Sequence, residues 1–407
     1  MTSANWRLLL LLLFFTSSTS SAWFGTKHKS SGASSSSSGR FRSDESSSSS
    51  SSSSPFLLNR FRSGSAVVFP VHGNVYPVGF YNVTLNIGQP PRPYFLDIDT
   101  GSDLTWLQCD APCSRCSQTP HPLYRPSNDL VPCRHALCAS LHHNDNYDCE
   151  VPHQCDYEVE YADHYSSLGV LLHDVYTLNF TNGVQLKVRM ALGCGYDQIF
   201  PDPSHHPLDG MLGLGRGKTS LTSQLNSQGL VRNVVGHSGA AELLFGGKRT
   251  GVGNLHATFD TGSSYTYFNS NAYQLLISWL RKESGGKPLK EAHGDQTLPL
   301  CWHGKRPFKS IYEVRKYFKP ITLSFSSNGR SKALFEIPPE GYLIISQNMG
   351  NVCLGILNGS EVGMGDLNLI GDISMLNKVM VFDNDKQLIG WTSADCDRVP
   401  KSRDVSI

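Results

Sequence analysis

The chain has 407 residues, 39% hydrophobic and 17% charged, with 35 basic against 34 acidic side chains and 11 cysteines. That length and apolar content exclude both a disulfide-stapled miniprotein and a disordered chain, and suit one large domain or two. A formal net charge of +1 gives no electrostatic reason to expect nucleic acid or an anionic membrane as partner.

In chain order, Arg7 precedes an unbroken apolar run from Leu8 to Phe15, and small residues follow to Ser20, Ser21 and Ala22. A cationic flank, a short apolar core and a small-residue exit are the parts of a secretory signal, assigned to residues 1–22. The run is too short to cross a bilayer, and no later stretch approaches the roughly 20 apolar residues a spanning helix needs. Residues 23–65 are serine-rich, with nine consecutive serines from Ser46 to Ser54. Such a composition buries too little apolar area to offset its ordering entropy, so it reads as a disordered propeptide or linker. Arg40 to Arg42 and Arg60 to Arg62 are both Arg-Phe-Arg; they fit processing sites or a solvated basic linker equally well.

Ordered sequence is expected from Ala66. Runs beginning at Tyr81, Tyr94, Cys155, Ile321 and Lys378 alternate or cluster β-formers between Gly, Pro, Asn and Asp turns, which predicts strands. Helical pattern is confined to Ser220–Gln228, Ser270–Lys282 and Ile311–Phe318, so the fold class is mostly β.

An internal repeat organises the ordered part. Phe95-Leu-Asp-Ile-Asp99-Thr-Gly-Ser is answered by Met211-Leu-Gly213, and Ala257-Thr-Phe-Asp260-Thr-Gly-Ser by Leu369-Ile-Gly371. The Asp-to-Gly separations are 114 and 111 residues. Two related lobes, 66–235 and 236–400 with a tail at 401–407, would each bring one Asp-Thr-Gly-Ser to a shared site. Two carboxyls a few ångströms apart cannot both ionise, so the pair holds one proton. It can then activate a water as base and a carbonyl as acid without metal or cofactor. Gly101 and Gly262 allow tight turns, and the hydroxyls of Thr100, Ser102, Thr261 and Ser263 are candidates to hold the carboxylates of Asp99 and Asp260 coplanar.

With these motifs the sequence resembles the pepsin-like aspartic peptidases. The strings from Trp106 to Cys113, His121 to Pro126, Gln154 to Asp163, Gly193 to Gln198 and Val352 to Gly359 resemble the plant nucellin-like branch. The resemblance implies a bilobal β fold with a cleft between lobes, catalytic Asp99 and Asp260, and a flap carrying Tyr161 with Trp106 as its hydrogen-bond partner. It implies an acid endopeptidase acting as a monomer on protein or peptide substrates, in the apoplast, outside the cell or in the vacuole.

Seven cysteines, Cys109, Cys113, Cys116, Cys133, Cys138, Cys149 and Cys155, fall close enough to staple a loop-rich insertion over 109–155, while Cys194, Cys301, Cys353 and Cys396 are widely spaced. The first three, with His121, His135, His142 and His143, could open a zinc site, but an oxidising compartment favours disulfides. The resemblance pairs Cys301 with Cys353, and an odd total leaves at least one thiol without an internal partner. Asn82, Asn179 and Asn358 head glycosylation sequons. His142–His143 and His205–His206 read as exposed loop residues.

Two features depart from the family pattern. Tyr165 puts a bulky side chain where the flap tip is usually small. Gly213 and Asp260 are only 47 residues apart, about half the usual spacing, and the break lies near 237–240. The shortening keeps open a second reading, a catalytically impaired binding or inhibitor protein; a cysteine-rich metal or structural module is a third.

Overall fold

The computed structural model describes residues 9–11, 24–25, 67–142, 153–162, 164–180, 183–199, 208–231, 239–284, 288–327, 331–383, 388–394 and 396. The proposed signal exit at Ser20–Ala22, the serine tract, Cys149, His143, His205, His206, His237 and the 401–407 tail lie outside the described residues.

The chain is mostly β, as the alternating runs predict. Strand Phe80–Ile87 turns Tyr81, Val83, Leu85 and Ile87 inward and leaves the residues between them half-buried, the period-2 pattern of a strand covered on one face. Strand Arg92–Asp99 begins exposed and ends with four consecutive buried residues, because its C-terminal half runs through the middle of a sheet. Leu221–Ser227, Ser270–Ser284 and Ile311–Val314 are helical as predicted, the last continuing into a 3₁₀ turn at Arg315–Tyr317. Ala136–Leu141 is a further helix, hidden in sequence by the surrounding cysteines and histidines.

Two sheets repeat one motif. In the first, Arg92–Asp99, Gly210–Gly213, Trp106–Gln108 and Gln185–Ile199 are successive neighbours; in the second, Leu255–Phe259, Asn368–Ile370, Thr266–Phe268 and Ile356–Asn358 follow the same path. The glycine-bearing strand lies parallel to the aspartate-bearing strand in both, with Gly213 opposite Asp99 and Ile370 opposite Phe259. It is antiparallel to the strand after the turn in both. The hairpin Lys378–Asp383 with Leu388–Ser393 forms a separate sheet that Phe24–Gly25 joins, and Leu9–Leu11 pairs with Val68–Pro70. Among the described residues a large hydrophobic cluster, from Val67 to Phe382, runs through both lobes, and a second, smaller one gathers Leu104, Trp106, Tyr157, Tyr165 and Leu171 in the first lobe.

The cysteines divide differently from their spacing. Cys113–Cys116 and Cys138–Cys155 lie within the insertion, but Cys109 leaves it and bonds Cys194. That bond joins neighbouring parallel strands, since Leu107 is in register with Cys194. Cys133 is disulfide-bonded too, and Cys301 is joined to Cys353. Cys138, His142 and Cys155 place ligand atoms within 4.8 Å of one another, but the two sulfurs are joined to each other. Buried Cys396 lies near Tyr81 and Lys378.

The sequons separate by burial. Asn179 is exposed at a strand end, Asn82 is half-buried within a strand, and Asn358 is 6% exposed with its Oδ1 accepting from Ser270 Oγ at 3.0 Å. That burial and hydrogen bond make Asn358 the least accessible of the three sequon asparagines.

Gly213 and Gly371 are required by contact. A methyl at Gly213 would stand 2.4 Å from the Asp103 carbonyl oxygen, and one at Gly371 2.1 Å from the Tyr265 carbonyl oxygen. Backbone cannot yield as a side-chain tip can. Gly213→Ala and Gly371→Ala should each cost about 2 to 3 kcal/mol, measured as a lower urea midpoint with unchanged slope.

Candidate active site

Each aspartate sits at the end of a buried strand where the chain turns back over a neighbouring glycine strand. Gly101 N–H donates to Asp99 Oδ1 at 2.7 Å and Gly262 N–H to Asp260 Oδ1 at 3.1 Å, so each turn holds its own carboxylate. A methyl on Gly101 would stand 2.7 Å from Asp260 Oδ1 and 3.1 Å from Asp99 Oδ1; one on Gly262 would stand 2.7 Å from Asp99 Oδ1. The two carboxyls, 161 residues apart in sequence, therefore share one small space.

The threonines do not touch the carboxylates, which corrects the coplanarity role expected for them. They clamp the two turns together instead. Thr100 N–H donates to Thr261 Oγ1 at 3.1 Å and Thr261 N–H to Thr100 Oγ1 at 3.0 Å, while Thr261 Oγ1 donates to the Ile98 carbonyl at 2.8 Å. The serines do face the acids. Ser263 Oγ donates to Asp260 Oδ2 at 2.7 Å, and Ser102 faces Asp99 and Tyr161.

Burial and the neighbouring Asp260 charge push the Asp99 carboxyl up to about 7, against weaker stabilisation from Ser102 and the Gly101 N–H. This is the condition for one shared proton. A further acid belongs to the same field: Asp372, 1% exposed, is held well above the carboxylate range by burial, then by Asp97, Asp260 and Asp99. It directly follows Gly371 in the second copy of the repeat, where the first copy has Leu214. That mismatch was the only sequence signal for it.

Above the dyad, Trp106 Nε1 donates to Tyr161 Oη at 2.8 Å. The bulky Tyr165 is accommodated by pointing inward. It is 4% exposed, stacks on Tyr161 with ring centres 5.3 Å apart and planes 11° apart, lies 5.7 Å from the Trp106 ring, and donates to Gln198 Oε1 at 2.9 Å. The left-handed position in the turn falls on His164, φ 66°, whose N–H donates to the Tyr161 carbonyl at 2.9 Å. Tyr165 thus turns under the flap and fills space beneath Tyr161.

Two outcomes follow from these contacts. Tyr165→Phe keeps the stack and should cost about 1 kcal/mol, whereas Tyr165→Ser should cost about 3, both read by urea unfolding. The raised Asp99 pKa fixes a sign: the folded chain holds this proton more tightly than the unfolded chain, whose carboxyl titrates near 3.8. Stability from this group is complete at low pH and is lost as pH rises from about 4 through about 7. The melting temperature should therefore fall over that window, and Asp99→Asn should flatten the decline.

A family model described as "Xylanase inhibitor N-terminal" matches residues 81–239, and one described as "Xylanase inhibitor C-terminal" matches 241–393. An aspartic proteinase of Oryza sativa subsp. japonica is 42% identical over 393 positions, covering 85% of this chain and 95% of that protein. Since 85% of 407 residues is about 346, roughly 47 aligned positions have no residue in this chain. Aspartic proteinase 39 of Arabidopsis thaliana is 24% identical over 402 positions, covering 84% of this chain and 80% of its own. Among solved structures, edgp gives a TM-score of 0.60 at 16% identity, covering 84% of this chain and 97% of its own. Basic 7S globulin from soybean gives 0.59 at 15%, covering 81% and 98%. Both share the fold. With two matched lobes, a plant proteinase relative at 42% identity and a duplicated aspartate turn, this chain belongs to the pepsin-like aspartic peptidase family, among the plant aspartic proteinases.

Proposed function

We propose that the chain is an acid endopeptidase whose single catalytic device is the Asp99–Asp260 pair. The observation that carries this reading is the two carboxyls in one buried space with one of them raised to about 7. In the mechanism, the ionised carboxyl takes a proton from a water held between the acids. The protonated carboxyl gives its proton to the scissile carbonyl oxygen as the water oxygen bonds to carbon. The resulting gem-diol collapses when the protonated carboxyl gives its proton to the leaving nitrogen while the other carboxylate takes one from a gem-diol hydroxyl; the C–N bond breaks to amine and carboxylic acid, and the dyad again holds one proton. Tyr161, held by Trp106, closes over the peptide and excludes bulk water. The N-terminal reading routes the enzyme to the secretory pathway, and on to the apoplast or vacuole as a monomer.

Asp99→Asn and Asp260→Asn should each lower kcat by at least about 10³-fold on an unstructured peptide while circular dichroism stays unchanged. Activity should be bell-shaped in pH with an acidic optimum, because the one-proton state exists only between the two apparent pKa values of the pair. Full hydrolysis by either variant would remove the mechanism.

A second reading, an impaired peptidase acting as a binding protein or inhibitor, is favoured by the description of the matched family models and by the short stretch between Gly213 and Asp260. We propose that the missing aligned positions fall after His237, where both related strands and core are lost. Each absent buried side chain removes roughly 1.5 to 3 kcal/mol from a net stability of about 5 to 15. Restoring the relative's segment after His237 should raise both the melting temperature and peptide hydrolysis. Equal behaviour of the two chains would make the short connection a working variation of the fold.

A further inference from the structure

Beyond the peptidase reading, one disulfide stands apart among the described cysteines. Cys113 and Cys116 are half-buried, whereas the other cysteines in disulfides, Cys109, Cys133, Cys138, Cys155, Cys194, Cys301 and Cys353, are each at most 3% exposed. Their bond closes a sequence separation of only 3 residues, where Cys109–Cys194, Cys138–Cys155 and Cys301–Cys353 close 85, 17 and 52. So small a ring takes little freedom from the unfolded chain and adds little to global stability. Its effect is local.

The ring holds a turn whose ties lead to the flap. Arg115 sits in the left-handed region at φ 53°, a conformation that a residue with a side chain keeps where its surroundings impose it. From there Arg115 Nε donates to Asp197 Oδ1 at 2.7 Å and Nη2 to Oδ2 at 2.5 Å, while Ser114 N–H donates to the Tyr196 carbonyl at 2.6 Å. Tyr196 is the bulged residue of its strand, because Leu168 pairs with Asp197 and Gly169 with Gly195. Ser114 thus satisfies a carbonyl that the ladder skips. Just beyond the bulge, Asp197, Gln198 and Ile199 pair with Leu168, Ser167 and Ser166, the strand leaving the flap tip, and Gln198 Oε1 accepts from Tyr165. On the other side of the ring, Ser117 N–H donates to Gln108 Oε1 and Gln108 Nε2 to Ser117 Oγ, both at 2.8 Å. Gln108 lies on the strand of Trp106, the partner of Tyr161. The turn braces both supports of the flap.

We propose that Cys113–Cys116 is a redox modification site, reduced by a dithiol ahead of the buried disulfides, and that opening the ring loosens the flap. A thiolate of the dithiol bonds to one cysteine sulfur as the S–S bond breaks, and the other cysteine sulfur leaves as thiolate and takes a proton. The second thiolate of the dithiol then displaces the remaining cysteine from the mixed disulfide. Two electrons pass to the chain, the dithiol becomes a cyclic disulfide, and Cys113 and Cys116 end as thiols. Once the ring is open it no longer enforces the left-handed turn at Arg115, and the bonds to Tyr196 and Asp197 weaken together.

The test is dithiothreitol treatment of the whole folded chain, followed by alkylation and peptide mapping, with hydrogen–deuterium exchange read over residues 161–170. Cys113 and Cys116 should be alkylated at least about tenfold faster than the cysteines of the three buried bonds. Flap amides of the reduced chain should exchange at least about tenfold faster than in the oxidised chain, and reoxidation should restore the slow exchange. Cys113→Ser/Cys116→Ser should exchange as the reduced chain does. Asp197→Asn, which keeps the disulfide and removes the charge that Arg115 holds, should speed flap exchange too, and decides the matter if the double variant misfolds. Alkylation no faster than at the buried bonds, or flap exchange unchanged by reduction, would overturn the proposal. Neither readout requires hydrolysis, so both stand even where the peptidase reading fails.

Discussion

The structure depends on holding two like-charged groups together in a buried place, which no carboxylate pair does unaided. The reciprocal Thr100–Thr261 clamp supplies the constraint, each backbone N–H donating to the other threonine's hydroxyl. Buried hydrogen bonds of this kind are worth about 1 kcal/mol each, so they do not outweigh the repulsion by themselves. Their effect is geometric: they fix two turns from different lobes so that separation of the acids would break a connected network. The repulsion is relieved by the other available route, retention of a proton, and the raised Asp99 pKa expresses that.

Everything else near the dyad reinforces the same condition. The parallel glycine strands bring backbone so close behind each turn that no side chain fits, which leaves the turns no room to retreat. Asp372 is a further buried acid beside the pair, its own carboxyl held protonated by burial and then by the charges of Asp97, Asp260 and Asp99. Tyr161 and Tyr165 stack over the site with Trp106, and the Tyr161 phenol is itself raised by burial and then by the Asp99 charge. A dry, aromatic roof lowers the local dielectric, which strengthens both the repulsion and the shared proton.

Much of this was legible in the sequence because it is encoded locally. The duplicated Asp-Thr-Gly-Ser with its distant apolar-apolar-Gly gave the paired lobes, and period-2 burial in Phe80–Ile87 was readable from alternation alone. What escaped depends on contacts between distant segments. Thr100 and Thr261 reach across lobes rather than to their own carboxylates. Cys109 bonds a cysteine 85 residues away because strand pairing, which spacing does not reveal, puts Leu107 opposite Cys194. Tyr165 looked too large for a turn because the chain's left-handed residue is its neighbour His164, which leaves Tyr165 free to point inward.

The shared proton itself can be observed directly. Carboxyl-carbon NMR of aspartate-labelled chain, titrated from about pH 3 to 8, reports each buried carboxyl's protonation without requiring turnover. The account predicts a carboxyl resonance titrating near pH 7 that is lost in Asp99→Asn and moves to lower pH in Asp260→Asn, where the neighbouring charge is gone but burial remains. Titration of every aspartate below about pH 5, with the same curves in the two variants, would contradict it.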